Sequence, residues 1–441
     1  MWVGFPSSRV PTVAAAVAAP SACVRGPQVL GLSPSLRNKA VAFRARGRVG
    51  GRVVAFVAGL HAAKRWRWRH ARLGEEVVRC STAPQAGNKI SDAELAKLLA
   101  SSDKEPSGDE LKYQPSIEPG DPIADALRAV CKSGEVKSWE LLDSRWNGNE
   151  ALRFDTERGP FFVKMNRVED PSVFMQEAVS LTSLVQTETV LSPKPLHLGR
   201  LPKIGSFGPG AFMVLEWLDL EPFGAMKPVN QAALGDAIAR LHLSRRHDAL
   251  HKGRFGFPVN NLLALTPVNN TWTKTWLEYF SRRLSDMASA LTRSAASIDA
   301  RLEPDDATPV ELQALVRRVI DEALPPLLGD ERATSLQPAL LHGDLWLGNT
   351  GADKTRGACI FDPACFFGDP EFDLALFELF GGVNDVFHDA YTARIPRQPG
   401  FEARQRLYML YHYLNQLSLF GDRKVGRTCG GLCVAILQEL E

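Results

Sequence analysis

Three side chains suited to handling phosphoryl groups and metal ions lie close together in the second half of the chain. Asp344 and Asn349 stand five positions apart within residues 341–349 (LHGDLWLGN), and Asp362 follows the apolar run at residues 359–361 (CIF). A carboxylate can orient and deprotonate an attacking hydroxyl, while carboxylate and amide oxygens can hold Mg²⁺ against a triphosphate. The pattern therefore predicts Asp344 as a catalytic base and Asn349 and Asp362 as metal ligands.

The interval between Asp344 and Asn349 supports this interpretation. It equals the interval between base and metal ligand in the H-R-D-x-x-x-x-N catalytic loop of protein kinases, and Asp362 would then take the place of the D-F-G aspartate. The alternative is that Asp344 and Asn349 cap turns, as such residues often do beside glycine. His342 is expected to brace the loop rather than to act as an acid or base.

A lysine that needs an anionic partner precedes this group. Lys164 lies in the alternating segment at residues 161–165 (FFVKM), among apolar residues where an unpaired ammonium would be costly. Glu177, thirteen residues later on a predicted helix, can reach back to it. Such a strand-lysine to helix-glutamate pair positions ATP phosphates in kinases. The alternative is two solvated charges.

Two further segments complete the predicted site. Residues 212–218 (FMVLEWL) indicate a buried strand that runs into a hinge, where backbone groups of Glu216, Trp217 and Leu218 would pair with adenine. The loop that should cover the phosphates lies near residues 143–150 and contains only Gly148, so there is no G-x-G-x-x-G. Asp373 opens a helix about ten residues after Asp362 and could simply cap it, but we expect it to brace the catalytic loop rather than to be catalytic. That short interval leaves no room for a protein-kinase activation segment, so the acceptor is expected to be a small molecule or a protruding adduct.

These residues require two lobes to position them. Helical and strand periodicities begin near residue 121, with short strands at residues 151–154 and 160–165 and a helix that is capped by Asp170 and begins at Pro171. Helical patterns dominate the second half. We therefore predict an α+β, two-lobed, protein-kinase-like fold. Its N-terminal antiparallel-sheet lobe with the hinge would span residues 121–220, and a larger, mainly helical catalytic and substrate-binding lobe would span residues 221–441.

The first 120 residues differ in composition from the rest. No Asp or Glu precedes Glu75, whereas thirteen of the 52 Lys and Arg residues do. Residues 1–80 are rich in Ala, Val, Arg and Ser, which is typical of a cleaved organelle transit peptide, for a plastid or alternatively a mitochondrion. The run RWRWR at residues 65–69 could instead contact nucleic acid or an anionic membrane. Residues 81–120 form a polar linker with one short helix predicted at residues 92–99.

Charge and cysteine content exclude several classes of protein. The formal net charge is +2 and the basic residues concentrate at the N-terminus, so the remaining chain is acidic and unsuited to broad nucleic-acid binding. No apolar run reaches the roughly 18 residues that span a bilayer, so stable membrane insertion is not expected. Seven scattered cysteines do not indicate a disulfide framework, and Cys429 and Cys433 lack a second ligand pair at zinc spacing. The sequence leaves the oligomeric state open.

Several longer strings resemble one family of small-molecule kinases. The resemblance to the fructosamine-3-kinase and ketosamine-3-kinase family runs from about residue 121 to the C-terminus. It is carried by the strings FFVKMN (residues 161–166), MVLEWLDL (213–220), GFPVNN (256–261), WTKTWLEYF (272–280), LLHGDLWLGN (340–349), IFDPACFFGDPEFDLALFELFGG (360–382) and LYMLYHYLNQLSLFG (407–421).

The resemblance implies ATP and Mg²⁺ as cofactors and phosphorylation of the 3-hydroxyl of ketoamines, which are the adducts of sugars with amines. The product would release the amine, which amounts to deglycation repair. By this resemblance Asp344 is the base, Asn349 and Asp362 bind the metal, and Lys164 with Glu177 contacts the nucleotide. Trp346 would offer an aromatic surface for stacking on the sugar adduct.

The sequence departs from the family pattern in three places. Leu347 stands where the family usually has a small residue, the covering loop lacks the family's glycines, and residues 422–441 resemble the family poorly. Two rival interpretations follow. One is a kinase for another small alcohol, such as choline or an aminoglycoside. The other is an inactive module that binds nucleotide or the glycated amine, although pseudoenzymes usually lose at least one of the catalytic residues that this chain retains.

Overall fold

A computed structural model of the chain describes residues 115–144, 149–166, 172–203, 209–221, 228–294, 306–329, 332 and 335–440. The predicted transit segment, the predicted helix at residues 92–99, the proposed cap at Asp170 and residues 145–148 of the phosphate-covering loop lie outside these residues. The described residues all belong to one compact unit of the chain.

The N-terminal lobe is built on a five-stranded antiparallel sheet in the order β1-β2-β3-β5-β4. Its strands are β1 (Val136–Ser144), β2 (Glu150–Thr156), β3 (Gly159–Asn166), β4 (Pro195–Leu201) and β5 (Gly210–Glu216), with helices α1 (Pro122–Ala129) and α2 (Ser172–Thr187). Asp121 caps α1 by accepting hydrogen bonds from the Ile123 and Ala124 amides, and Pro122 occupies the first helical position.

Helices cover both faces of this sheet. One face of β2, β3 and β5 packs with α1 in a buried cluster that includes Phe154, Val163 and Val214. The other face of β5 packs with α2 through a second cluster that includes Phe174 and Met213. Because successive side chains of a strand point to opposite faces, the interior strand β5, covered on both faces, needs apolar residues throughout, and its first six residues are all buried. This sheet fixes the position of β3 and therefore of Lys164.

The C-terminal lobe is mostly helical, with three short pairs of antiparallel strands among the residues that the structure describes. Its helices are α3 (Pro228–His242), α4 (Asp248–His251), α5 (Trp276–Arg293), α6 (Pro309–Arg318), α7 (Leu324–Leu328), α8 (Glu371–Phe380), α9 (Asp385–Thr392), α10 (Phe401–Phe420) and α11 (Arg423–Gln438). A π-helical turn (Val319–Ala323) joins α6 to α7, and a 3₁₀ turn (Leu347–Asn349) precedes β9. The paired strands are β6 (Asn261–Leu263) with β7 (Thr266–Val268), β8 (Ala339–Leu341) with β11 (Phe366–Gly368), and β9 (Thr350–Asp353) with β10 (Gly357–Ile360).

Aromatic side chains hold the strand pair β8–β11 against the helices. Trp276, Phe366, Phe372 and Tyr408 are fully buried, and Trp276 stacks on Phe366 with ring centroids 6.3 Å apart. The Trp276 indole N–H donates to the Tyr408 hydroxyl at 2.9 Å, so the polar atom of this large buried ring is satisfied. The catalytic loop that leaves β8 therefore starts from a rigid, close-packed base.

The observed fold confirms the predicted α+β architecture with an antiparallel-sheet lobe followed by a helical lobe. Strands β1 and β4, which the sequence patterns do not mark as strands, are the two edges of the sheet. Within the described residues, no helix combines the length and the apolar character required to cross a bilayer.

Candidate active site

The catalytic loop leaves β8 through a tight turn at Gly343. Gly343 has φ +80°, and a Cβ atom there would lie 2.1 Å from the Ala364 carbonyl oxygen. Only glycine combines that backbone conformation with so close an approach of the neighbouring chain. The turn brings Asp344 next to Asn349, whose side-chain amide donates to the Asp344 carboxylate and to its backbone carbonyl, both at 2.9 Å. The predicted base and one predicted metal ligand are therefore adjacent.

A buried carboxylate on α8 holds the start of this loop. Asp373 accepts hydrogen bonds from the backbone amides of His342 at 2.7 Å and Gly343 at 2.8 Å, and its side chain also contacts His242 Nε2 at 3.3 Å. Burial alone would raise the pKa of Asp373, but the hydrogen bonds from His242 and from the Gly343 amide hold this pKa below its usual value. The structure confirms the predicted bracing role of Asp373.

His342 connects the two segments that carry the acidic residues of the site. Its ring is completely buried, Nε2 lies 3.0 Å from the Phe361 carbonyl, and Nδ1 accepts from the Asp344 amide at 3.3 Å. These partners require a neutral ring with its proton on Nε2, and burial lowers the pKa of His342 in agreement. His342 is therefore a brace, as predicted, between the catalytic loop and the segment after β10 that carries Asp362.

The surroundings of Asp344 suit a base. Although part of the side chain reaches solvent, the carboxylate lies among enough protein that burial raises its pKa to about 7. The hydrogen bond from Asn349 opposes this shift, while the negative charges of Asp362 and Asp373 add to it. A carboxylate with a pKa close to neutral is a more effective general base than one with an ordinary pKa.

Lys164 connects the two lobes at the site. Its ammonium group lies 2.5 Å from Glu177 Oε1 and also contacts Asp362 Oδ1. Only 7% of the Lys164 side chain is exposed, so both carboxylates are needed to offset the loss of hydration. Asp362 adopts φ +58°, an uncommon conformation for a residue with a side chain. The structure thus contains the predicted Lys164–Glu177 pair and adds Asp362 as a second partner of the lysine.

The hinge residues Glu216, Trp217 and Leu218 follow β5 directly. Arg356, at the turn between β9 and β10, donates to the Glu216 carboxylate at 2.5 Å and to the Trp217 carbonyl at 3.3 Å. The Leu218 amide makes no hydrogen bond to any part of the chain that the structure describes. A backbone donor is therefore available at the predicted adenine position.

The next residues of the hinge are held to the C-terminal lobe. Asp353 accepts a hydrogen bond from the Asp219 amide at 2.9 Å, and the Glu221 amide donates to the Ala352 carbonyl at 2.8 Å. Burial alone would raise the pKa of Asp353. Hydrogen bonds from Thr355 and Arg356 instead hold this pKa well below its usual range. Asp353 is therefore an ionised anchor for the hinge.

Trp346 lies at the mouth of the catalytic loop beside a second aromatic ring. Its ring centroid is 5.3 Å from that of Phe380, whose side chain is 51% exposed at the end of α8. A Cβ atom at Gly348 would lie 2.2 Å from the Trp346 indole, so this glycine makes room for the ring. Leu347, the departure from the family pattern, sits against Gly382, where a Cβ atom would meet its side chain at 2.5 Å.

Sequence patterns missed several residues of this framework. His242 connects Asp373 to the Tyr391 hydroxyl, from which its Nδ1 lies 2.8 Å away. The one available signal is spacing, because Leu234, Ile238 and His242 recur every four residues on the buried face of α3. Arg356 and Asp353 carry no sequence signal, since their role depends on the turn that brings β9 and β10 beside the hinge.

Comparison with known proteins gives one consistent family. The family model described as fructosamine kinase matches residues 145–432, which extends into the C-terminal segment that resembles the family poorly by inspection. The chain is 34% identical over 274 residues to the chloroplastic protein-ribulosamine 3-kinase of Arabidopsis thaliana, covering 62% of this chain and 75% of that protein. It is also 34% identical over 295 residues to ketosamine-3-kinase of Mus musculus, covering 62% and 87%.

The fold has a counterpart among solved structures. The putative fructosamine-3-kinase of Haemophilus somnus 129PT superposes with a TM-score of 0.58 at 22% sequence identity, covering 72% of this chain and 97% of that one. At this level of identity the likeness concerns the fold, and the two-lobed arrangement described above is the arrangement they share.

Proposed function

This chain belongs to the fructosamine kinase family and is an ATP-dependent phosphotransferase whose acceptor is a hydroxyl group, and we propose that it phosphorylates the 3-hydroxyl of ketosamines. The observation that carries the proposal is the convergence of Lys164, Glu177 and Asp362 with the Asp344–Asn349 loop. These groups come from both lobes and from four separate segments. A purely structural ion pair would not require the base and the metal ligands to stand beside it.

In the proposed reaction, the acceptor hydroxyl donates a hydrogen bond to Asp344 and loses its proton to that carboxylate. The hydroxyl oxygen forms the new bond to the γ-phosphorus while the bond between that phosphorus and the β,γ-bridging oxygen of ATP breaks. A pKa of about 7 leaves about half of the Asp344 carboxylates ionised at neutral pH, ready to accept the proton. Asn349 fixes the orientation of the carboxylate through its 2.9 Å hydrogen bond.

The remaining residues would bind the nucleotide. Lys164, held by Glu177, would donate to the phosphates, and the Leu218 amide with neighbouring backbone groups of Glu216 and Trp217 would meet the adenine edge. Asn349 uses its amide nitrogen on Asp344, which leaves its oxygen to act with the Asp362 carboxylate as hard ligands that suit Mg²⁺. When bound, Mg²⁺ neutralises charge on the transferred phosphoryl group.

The acceptor side favours a sugar adduct. Trp346, two residues after Asp344, and Phe380 beside it offer partly exposed rings on which the C–H face of a sugar can stack. A 3-phosphate is a better leaving group than hydroxide, so the product can eliminate phosphate and release the amine. The activity would therefore repair glycated amines, free or protein-bound.

Because the Arabidopsis relative is named as chloroplastic, we place this chain in the plastid, directed there by residues 1–80.

The decisive experiment measures Mg²⁺-dependent ATP consumption by the full chain with fructosyl-lysine or ribulosyl-lysine, with Asp344→Asn as the matched variant. Turnover that the substitution reduces by at least 10³-fold supports both the activity and the base. Equal turnover of choline or an aminoglycoside would favour another alcohol acceptor. ATP binding without turnover of any acceptor would indicate an inactive binding module.

A reporter fused to residues 1–85 that remained cytosolic would contradict the plastid assignment.

A further inference from the structure

We propose a second ligand site in the helical lobe, a cavity that binds a small phosphorylated sugar and transmits its occupancy to the catalytic loop through His242. The cavity has a volume of about 320 Å³ and lies between the end of α3, the start of α8 and the segment that follows α9. Ligand sites in proteins begin at about 300 Å³, so the space suits a molecule of monosaccharide size.

The charges on the cavity wall favour an anion. Arg245 lines it and makes no ion pair with any residue that the structure describes. Arg397 lies 4.0 Å from Glu402 and over the Phe401 ring, 4.6 Å from its centroid. The one carboxylate of the wall, Glu371, is already neutralised by Arg404 through bonds of 2.7 and 2.9 Å. Neither guanidinium group is therefore neutralised by a close carboxylate, and each can form a paired hydrogen bond to phosphate.

The rest of the wall suits a hydroxylated body attached to that phosphate. The Gln337 side chain supplies hydrogen-bonding groups, as does the side-chain oxygen of Gln398, whose nitrogen donates to the Pro396 carbonyl, while Pro370 and Leu374 supply an apolar surface for the C–H face of a sugar. A bare anion would leave these groups in contact with water. The mixture of two cations, neutral polar groups and apolar surface indicates a sugar phosphate.

The wall of the cavity is directly connected to the catalytic loop. His242 and Tyr391 both line the cavity and are joined by the 2.8 Å contact between His242 Nδ1 and the Tyr391 hydroxyl. On its other side, His242 contacts Asp373, which holds the His342 and Gly343 amides. A ligand that displaces Tyr391 or His242 therefore alters the hydrogen bonds that hold the loop carrying Asp344, without entering the active site.

Binding is tested first, because it does not depend on the proposed acceptor. Calorimetric titration of the full chain with glucose 6-phosphate should show one saturable site, with glucose and inorganic phosphate binding more weakly. The double variant Arg245→Ala with Arg397→Ala should weaken binding at least tenfold, since it removes the two charged groups proposed to bind the phosphate. Arg317→Ala, which removes an exposed guanidinium on α6, should leave binding unchanged.

The coupling is tested by kinase kinetics and therefore rests on the proposed function. Saturating glucose 6-phosphate should change kcat/KM for fructosyl-lysine by about fivefold or more, a typical size for coupling between sites. Tyr391→Phe should retain binding but reduce this response. The proposal is overturned if the double variant binds the probe as tightly as the wild type, if no binding occurs, or if AMP-PNP displaces the probe. If no ketosamine is turned over, the calorimetric result still decides whether the site exists.

Discussion

Replacing Asp373 by asparagine tests whether a buried carboxylate holds the catalytic loop in place. One Asp373 oxygen accepts from the Gly343 amide, and the other accepts from the His342 amide and contacts His242 Nε2. An asparagine side chain has the same shape but one acceptor oxygen only. Whichever way the amide is oriented, one backbone N–H of the loop then faces an NH₂ group instead of an acceptor.

The cost follows from burial, since only 1% of Asp373 is exposed and water cannot replace the lost partner. An unsatisfied buried donor costs about 1–3 kcal/mol, and the bonds that remain lose their charge assistance. The total is about 2–4 kcal/mol of folding free energy, which corresponds to a Tm lower by about 3–6 °C for a folded part of this size. Misplacement of the loop by about 1 Å adds a loss of about 10²-fold in kcat.

The sign of the pH effect can be stated in advance. Because the folded pKa of Asp373 lies below the unfolded value, the ionised carboxylate stabilises the fold above about pH 4. This stabilisation disappears as the pH falls through the folded pKa. In the asparagine variant the difference in stability from the wild type should therefore shrink below pH 4.

Thermal unfolding and steady-state kinetics of the two proteins provide the assay, with kcat corrected for the folded fraction by near-UV circular dichroism. Asp389→Asn, an exposed carboxylate on α9, is the matched control and should change neither quantity. The loss should fall on kcat more than on ATP affinity, because Lys164 lies in the other lobe. An Asp373→Asn variant with wild-type Tm and kcat would refute the bracing role.

Three further predictions address other parts of the site. The acidic limb of the pH–rate profile should rise through about pH 7, because Asp344 must be ionised to accept a proton, and a limb near pH 4 would contradict the raised pKa. Lys164→Met should raise the KM for ATP at least tenfold, whereas Glu177→Gln should raise this KM less, because Asp362 still pairs with the lysine. Equal KM values for the wild type and Lys164→Met would exclude a nucleotide contact. Gly343→Ala should destabilise the fold by more than about 2 kcal/mol in urea unfolding, because its Cβ would lie 2.1 Å from the Ala364 carbonyl oxygen, and a stable active variant would show that the turn can relax.

The central parts of the fold and site were predictable because their residues obey strong local rules. Strand β5 is apolar along its length, and Lys164 on β3 is a charge that an apolar segment can tolerate only with a partner. The Asp344–Asn349 interval is set by one loop and can be counted directly. The roles in nucleotide, metal and acceptor binding stay predictions until the assays above are made.

The parts that sequence patterns missed depend on long-range contacts or on weak local patterns. Strand β1 exposes Leu141 and Leu142, and β4 begins with Pro195 and contains Gly199, which only an edge strand tolerates. Neither strand shows the alternation that a half-buried strand presents. His242 is joined to Asp373 across 131 positions of the chain, and no local rule indicates such a partner.

The attachment of the hinge to the C-terminal lobe determines where the enzyme can bend. The Asp219 amide is held by Asp353, the Lys354 amide donates to the Asp219 carbonyl at 3.0 Å, and the Glu221 amide donates to Ala352. Residues 219–221 must therefore move rigidly with the β9–β10 hairpin. Any rotation of one lobe about the other at Trp217 and Leu218 must therefore also break the contacts of Arg356 with Glu216 and Trp217. The hinge is a short segment tied to the C-terminal lobe rather than a flexible linker.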